Sequence, residues 1–529
     1  MGVDPPAADP PIIDVPERFN AAAFFVDRHL AEGRGARTIF RYRDRNVTYA
    51  ELAVRVNRAG RMLQSLGLET ENRVLLALPD SPEFAEVFWG AIKIGAVAVP
   101  VSPWLKGPEY AFLLNDSRAK VAVVDAEAAR ELARVRDQSR VLRHVVVVGR
   151  PGRGVKAYER LLARAEPGLE PAETTRDDVA LWGYTSGSTG KPKAAVHLQH
   201  DLVHAADLVG IQIFGIGPDD LIFSASKMFF AFGLGNSLYF PARVGAASIL
   251  VPDRIDAEGV FEIIAAERPS VFFAVATLYG RMLEVRDAER RYDLSSLRLS
   301  VSSGEALPPA IFHAWKSRFN QELVDVVGST EALHDFIANR PGEVRPGSCG
   351  KVIPGFEARL VDDAGNPAPP GAVGHLLIKG ETTAPYYWNR HAETKLTMLG
   401  EWLRTGDVLY QDPDGYFYFC GRSDDMLKVA GMWVSPSEVE GCLMEHRAVL
   451  EAGVVGRQDA DGLVKPCAFV VLKEGQVLSD ALKAELREHV RERLAGYKVP
   501  SWVEFVPALP KTSTGKIQRF RLRQEASER

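Results

Sequence analysis

Tyr184-Thr-Ser-Gly-Ser-Thr-Gly-Lys-Pro-Lys193 gathers two glycines, four serine or threonine hydroxyls and two lysines into ten residues. Gly187 and Gly190 allow positive φ and close backbone approach, so consecutive N–H groups can curl around an anion. Thr185, Ser186, Ser188 and Thr189 add hydroxyl donors, and Lys191 and Lys193 add charge. The run is not a Walker A loop, because Lys191 is followed by Pro192 rather than by a hydroxyl residue opening a helix. Alone it would read as a Gly/Ser surface turn. Its flanks, Val179-Ala-Leu-Trp182 and Ala194-Ala-Val196, are strand-like and apolar. A phosphate loop held between strands is therefore expected.

Upstream, strands and helices alternate. Thr48 followed by Glu51 predicts a capping box opening a helix that runs through Leu66. A buried strand follows at Arg73–Leu78, then a helix over Ser81–Ile94 and a strand over Ala96–Val101. The rhythm returns at Val121–Val124, at Val145–Val148 and through the 220s to 270s. Such βαβ units imply parallel sheets covered by helices. After about residue 345 the texture changes to short strands (Glu357–Val361, His375–Lys379, Tyr416–Cys420) separated by turns such as Asp412-Pro-Asp-Gly415. From Ser435 onward, helices over Ser437–Glu445 and Ser479–Leu494 and strands over Glu451–Gly456 and Pro466–Leu472 form a compact α+β unit. The expected architecture is a large α/β N-terminal domain, with two βαβ-rich sheet subdomains and a small β-rich subdomain, followed by a small mobile α+β C-terminal domain. The seam falls in Arg422-Ser-Asp-Asp425, giving domains 1–423 and 424–529.

At 529 residues the chain exceeds one ordinary core. A net charge of −5 with scattered basic residues carries no nucleic-acid footprint. Cys349, Cys420, Cys442 and Cys467 lack C-x-x-C spacing, which suits reduced, structural thiols in a cytoplasmic protein and not zinc. No stretch reaches about 18 uncharged apolar residues, so no membrane span or membrane partner is expected. No signal peptide is visible, and the first dozen residues read as a loose Pro/Ala-rich arm.

Further motifs follow in order: Val327-Gly-Ser-Thr-Glu331, Glu401-Trp-Leu-Arg-Thr-Gly-Asp407, Gly421-Arg-Ser-Asp-Asp-Met-Leu-Lys428 and Pro510-Lys-Thr-Ser-Thr-Gly-Lys516. Their order and spacing resemble the adenylate-forming superfamily of acyl-CoA synthetases, luciferases and peptide-synthetase adenylation domains. The likeness covers roughly residues 40 to 522. Phe223-Ser-Ala-Ser-Lys-Met-Phe-Phe-Ala-Phe-Gly-Leu-Gly-Asn236, Ser302-Ser-Gly-Glu-Ala-Leu307 and Gly328-Ser-Thr-Glu-Ala-Leu-His334 resemble the benzoate-CoA ligase branch.

The resemblance implies ATP and coenzyme A as co-substrates, Mg²⁺ as cofactor and a small aromatic acid as substrate. A homodimer is an expected assembly, and a carrier protein's pantetheine is the rival acceptor. With no carrier domain visible after the adenylation region, a soluble thiol is the favoured acceptor. The Gly-rich loop, with Lys191 and Lys193, is expected to hold the phosphates. Thr330 is expected at phosphate and Glu331 at Mg²⁺, although Glu331 read alone is a carboxylate at a helix N-terminus. Asp407 is expected on the ribose hydroxyls with Arg422 beside it, although Gly406-Asp407 alone reads as a turn. Ser303, Gly304, Glu305, Asp325 and Val327 complete the nucleotide set. Lys516, otherwise an ordinary solvated lysine near the C-terminus, is expected to bridge the attacking carboxylate and the α-phosphate. Rotation about Asp424 would withdraw it and bring Lys428, Gly431 and Trp433 to the pantetheine arm.

The expected acyl pocket comprises Phe230, Ala231, Phe232, Gly233, Ala276, Ser303, Gly328, Leu333 and His334. Aromatic residues in such a run would be plain core by default. Phe232 stands where a tyrosine is common in this branch, Ala276 where a proline is common and Ala194 where glycine is common. Val327 replaces the aromatic residue that often stacks on adenine. The first two exchanges admit a substituted acid such as 2-aminobenzoate (anthranilate) or a hydroxybenzoate. The implied activity is an AMP-forming aryl-CoA ligase.

Overall fold

The structure is a computed structural model and describes residues 13–150, 155–186, 192–429, 432–459, 462–511 and 517–528, without the side chains of Ser186, Trp433 and Glu528. The local signals in the sequence are realised where they were strongest. The capping box at Thr48 and Glu51 opens the helix Tyr49–Ser65. Ser81, Ser435 and Ser479 each accept an N–H as caps of the helices Pro82–Lys93, Pro436–Met444 and Asp480–Arg493.

Two large sheets carry the N-terminal part. A seven-stranded sheet runs in the order Lys156–Ala157, His144–Val147, Val121–Val124, Arg73–Ala77, Val97–Pro100, Val179–Ser186, Pro192–Leu198. It is parallel until its last pair, which is antiparallel. A nine-stranded sheet has a parallel centre, Leu323–Gly328 through Leu299–Ser302, Val271–Ala274, Leu221–Ser224 and Ala247–Leu250 to Thr38–Tyr42, with two antiparallel strands, Asp335–Ala338 and Lys351–Val352, at one edge and one, Arg45–Thr48, at the other. The expected parallel sheets are thus mixed, because both the phosphate hairpin and the first hairpin of the chain close back on themselves. A five-stranded antiparallel sheet of Glu357–Val361, Gly374–Lys379, Met398–Leu399, Trp402–Gln411 and Phe417–Arg422 follows.

The strands Val449–Gln458, Val464–Leu472 and Trp502–Phe505 form a separate sheet packed by helices. Its two apolar clusters draw only on residues from Leu427 onward. Ion pairs Arg281–Glu451 at 3.7 Å and Glu284–Lys473 at 3.4 Å reach across to the N-terminal part. All four cysteines are buried, and none forms a disulfide. No helix among the described residues is long and apolar enough to cross a membrane.

Candidate active site

The phosphate motif lies on a hairpin. Thr185 pairs with Lys193 and Ser186 with Pro192. The expected residues Gly187, Ser188, Thr189, Gly190 and Lys191 lie outside the described residues, as do Gly431 and Lys516. The hairpin is clasped by a segment from the far side of the sequence. Trp388 N donates to Ala194 O at 2.9 Å, Val196 N to Tyr386 O at 3.2 Å, and Ala195 bridges Tyr387. Asp116 closes the clasp, accepting from Tyr184 Oη at 2.8 Å, from Arg390 at 3.1 Å and, on its carbonyl, from Trp388 Nε1 at 2.9 Å.

Within this clasp, Lys193 Nζ sits 4.7 Å from the centre of the Tyr387 ring. The Tyr387 hydroxyl donates to Glu331 Oε1 at 2.6 Å. Burial, and then the Glu331 charge, push the Tyr387 hydroxyl above its ordinary range, so it stays a proton donor. Thr330–Ala332 is a short 3₁₀ turn and not the start of a long helix. Ala384 N holds the Glu331 carbonyl at 2.7 Å, and His197 Nε2 lies 2.7 Å from the Thr330 carbonyl. A hard carboxylate oxygen fixed by a neutral donor, beside a lysine, fits a Mg²⁺–phosphate pair.

Asp407 lies inside the strand Trp402–Gln411 and faces Arg422 across the ladder, so the turn reading is corrected. Gly406 takes φ +77°, and a side chain there would lie 2.7 Å from Arg422 Nη2; glycine lets the guanidinium close over the strand. Arg422 Nη1 donates to Asp407 Oδ1 at 2.8 Å and to Thr405 O at 2.9 Å. Asp407 is buried while Arg422 is half-exposed. Asp407, and more weakly Glu331, hold the guanidinium firmly charged. Asp424 is exposed, and its neighbour Asp425 accepts from Arg523 at 2.6 Å. Lys428 pairs in register with Trp433.

Other expected nucleotide residues sit nearby or elsewhere. Asp325 is buried beside Ser302 on the adjacent strand, and burial pushes its carboxyl well above the ordinary range. Val327 is half-buried at the end of the strand Leu323–Gly328, and Gly304 takes φ +86°. Glu305 is engaged away from the hairpin: its Oε2 accepts from Thr277 N at 3.0 Å and Thr277 Oγ1 at 2.7 Å, capping the helix Ala276–Leu283.

Beside Thr330 lies an apolar cavity lined in part by Pro100, Trp182, His197, Phe230, Ala231 and Leu333. Three of the expected acyl residues thus share one wall. Phe232 packs against the His334 ring at 5.4 Å, and Ser303 Oγ donates to Asp335 Oδ1 at 2.9 Å. Gly328 pairs with Asp335. Gly233 sits in the helix Ala231–Leu234. Ala276 instead opens a helix whose buried face belongs to a different cluster, with Tyr279 and Trp315, so the structure does not bring it into this wall. A buried pair stands behind the acyl segment: Asp80 Oδ1 accepts from Met228 N at 2.8 Å, and Lys227 Nζ lies 3.8 Å from Asp80 Oδ2. Burial pushes the Asp80 carboxyl up to about 6.

Sequence reasoning missed Tyr387, Trp388, Arg390 and Asp116. The available signal was Pro385-Tyr-Tyr-Trp388, three aromatics in a row after a proline in a loop.

The family model of AMP-binding enzymes matches residues 27–388, and that of the AMP-binding enzyme C-terminal domain matches residues 438–516. The chain belongs to the AMP-binding enzyme family. This AMP-binding enzyme is 46% identical to the benzoate–CoA ligase of Thauera aromatica over 97% of each chain. It is 42% identical to the 4-hydroxybenzoate–CoA/benzoate–CoA ligase of Rhodopseudomonas palustris, covering 96% of this chain and 94% of that one. Its fold matches the crystal structure of the anthranilate CoA ligase AuaEII in complex with anthranoyl-AMP, with a TM-score of 0.94 and 41% identity, covering 97% of this chain and 98% of that one.

Proposed function

We propose that this AMP-binding enzyme is an aryl-CoA ligase that consumes ATP and releases AMP and pyrophosphate. The observation that carries the reading is that the expected acyl residues Phe230, Ala231 and Leu333 line one small apolar cavity together with Thr330, next to the hairpin of the phosphate motif. Relatives named as benzoate–CoA ligases span nearly the whole chain and support it.

In the first half-reaction a carboxylate oxygen attacks the α-phosphorus of ATP. An O–P bond forms and the bond to pyrophosphate breaks. Both partners are anionic, so the protein must chiefly neutralise and align charge. Lys191, Lys193 and the loop N–H groups take the β- and γ-phosphates. Glu331, steadied by Tyr387, would hold the Mg²⁺ that neutralises phosphate charge. Asp407 accepts the ribose hydroxyls, oriented by Arg422, and Lys516 spans the carboxylate and the α-phosphate. In the second half-reaction the CoA thiol attacks the acyl carbon, a C–S bond forms and AMP leaves. Residues 424–529 act as a mobile domain pivoting at Asp424, which exchanges Lys516 for Lys428, Gly431 and Trp433 beside the acyl-adenylate.

Pyrophosphate release across benzoate, hydroxybenzoates, 2-aminobenzoate, cyclohexanecarboxylate and medium-chain fatty acids, each with and without CoA, tests this. The expected result is turnover of an aryl acid that needs CoA for multiple cycles. Brisk adenylation without thioester formation would transfer the second half to a carrier protein's pantetheine. Silence with every acid would overturn the ligase.

A further inference from the structure

His197, on the returning strand Pro192–Leu198 of the phosphate hairpin, has no part in the chemistry described so far, yet its ring meets the motif at Thr330. His197 is 0% exposed and Asp201 1%. The ring's Nδ1 lies 2.9 Å from Asp201 Oδ2, and its Nε2 lies 2.7 Å from the Thr330 carbonyl. Both neighbours are oxygens. A carbonyl only accepts, and a neutral imidazole carries a single N–H. With that hydrogen on Nδ1, a bare Nε2 would face the carbonyl lone pair against lone pair. Nε2 therefore holds a hydrogen. The proton of the Nδ1 contact is then shared with Asp201, as imidazolium against carboxylate or neutral ring against carboxyl, and the pair is neutral either way. Asp201 Oδ2 also accepts from Leu198 N at 3.0 Å, and Oδ1 faces His200 Nε2 at 3.2 Å, so the carboxyl is fixed at both oxygens.

The ring holds a strained turn. Thr330–Ala332 is one 3₁₀ turn, and Leu333 after it takes φ +65° with ψ −37°, a conformation that a leucine keeps only where its surroundings impose it. The Thr330 carbonyl accepts from Leu333 N at 3.1 Å as well as from His197. A side chain on Gly183 would lie 2.6 Å from Thr330 Cγ2, so the bare strand seats the threonine methyl. With the methyl seated and the carbonyl held, the direction of the Thr330 hydroxyl is set. Glu331 follows in the same turn.

Resting on the ligase reading above, we propose that His197, backed by Asp201, is a positioning residue of the adenylation step: its Nε2–H holds the Thr330 carbonyl, so that the Thr330 hydroxyl and the Glu331 carboxylate meet the phosphates and their Mg²⁺ in one geometry. Asp201 acts by keeping the hydrogen on Nε2. In Asp201→Asn the amide oxygen still accepts from Leu198 N and from Nδ1–H, but a second ring proton then has no counter-charge in a buried site. The ring becomes neutral and Nε2 turns bare toward the carbonyl. A glutamine at 197, by contrast, sets an amide N–H where Nε2–H stood and needs no carboxylate behind it.

The experiment compares the wild type with His197→Leu, His197→Gln, Asp201→Asn and the double variant His197→Gln/Asp201→Asn. The readouts are kcat for pyrophosphate release with the best aryl acid of the panel above, the KM for CoA, and thermal unfolding. His197→Leu and Asp201→Asn should each lower kcat by about 10–100-fold, the scale for losing a group that orients a ligand. The KM for CoA should stay put. His197→Gln should recover most of the loss, and adding Asp201→Asn to it should cost little more. Asp201→Asn turning over like the wild type overturns the proposal, and this isosteric variant decides the matter even if His197→Leu fails to fold. Glutamine no better than leucine, with both melting like the wild type, overturns the hydrogen bond to Thr330. An equal cost of Asp201→Asn in both backgrounds would make Asp201 a structural anchor and overturn its backing role. Pyrophosphate release undiminished in Asp201→Asn sinks this inference alone, whereas no release by the wild type with any aryl acid sinks the ligase reading with it.

Discussion

On the phosphate side, Lys193, Tyr387 and Glu331 already touch one another, through a ring contact at 4.7 Å and a hydrogen bond of 2.6 Å. On the expected acyl side, Asn236, Tyr239 and His334 are more deeply buried, and they hold polar atoms that lack a hydrogen-bond partner among the described residues. The contrast follows from the ligands. A triphosphate is the same in every turnover, so its surroundings can be tied together in advance, which removes reorganisation from the reaction step. An acyl pocket must choose, and choice requires groups that only the right ligand satisfies. Leaving such groups unpaired costs about 1–3 kcal/mol each, offset when that ligand binds. Substitutions on the phosphate side should therefore move nucleotide and metal constants, and those on the acyl side the choice of acid.

The largest effect belongs to the residue proposed to bridge the two sides. Lys516→Ala should slow adenylate formation by about 10²–10³-fold, the scale of one lost transition-state donor. Thioester formation from supplied aryl-AMP should be spared. Separate assays of the half-reactions check this, and equal loss of both would remove the case for domain rotation.

Next comes the phosphate side alone. Tyr387→Phe deletes the hydroxyl that steadies Glu331 but keeps the ring under Lys193. Loss of a group that orients a metal ligand costs about 10–100-fold in metal affinity. A Mn²⁺-binding titration with ATP present, followed by EPR, should show that loss, while the ranking of acids stays as in the wild type. A changed ranking with unchanged metal affinity would break the division between the two sides.

Third, Phe232→Tyr should shift acid preference by roughly 10-fold, within the range that pocket contacts supply. The KM for ATP should move far less. Competition between benzoate and 4-hydroxybenzoate for limiting enzyme measures it, and an unchanged acid profile would mean the ring lies elsewhere.

What the sequence made legible follows the same division by distance. The cap of Thr48 with Glu51 spans three residues, so propensity and spacing reveal it. The phosphate hairpin announced itself through its glycines and apolar flanks. The clasp did not: Tyr387 meets Glu331 across 56 residues and Arg390 meets Asp116 across 274. No local pattern encodes a partner at that range. Asp407 was named through the resemblance, but its place inside a strand was hidden because Gly406 looks like a breaker, whereas it is the strand position over which Arg422 folds. Ala276 was placed at the pocket by resemblance, and its helix buries it in another cluster.

The smallest effect tests whether the acyl wall answers to pH. Asp80 is buried with its pKa raised to about 6, burial being the main cause and Lys227 opposing it. The sign follows from linkage: the folded protein holds this proton more tightly than the unfolded chain, whose aspartate titrates near about 3.9. The carboxyl therefore contributes stability that is present at low pH and lost as pH rises through about 6. Asp80→Asn keeps an oxygen for Met228 N but cannot ionise. Thermal unfolding between pH 5 and 7.5 should show the wild type losing stability relative to Asp80→Asn as pH rises, by about 1 kcal/mol per pH unit at most. Lys227 remains held by the carbonyls of Val251 and Asp253 at 2.6 and 3.0 Å, so the variant should fold. Because Met228 leads directly into Phe229 and Phe230, the KM for the acid in the wild type should follow the same titration. The KM for ATP, set by the clasp on the other side, should not. A parallel drift of both constants would mean that the two sides are mechanically one.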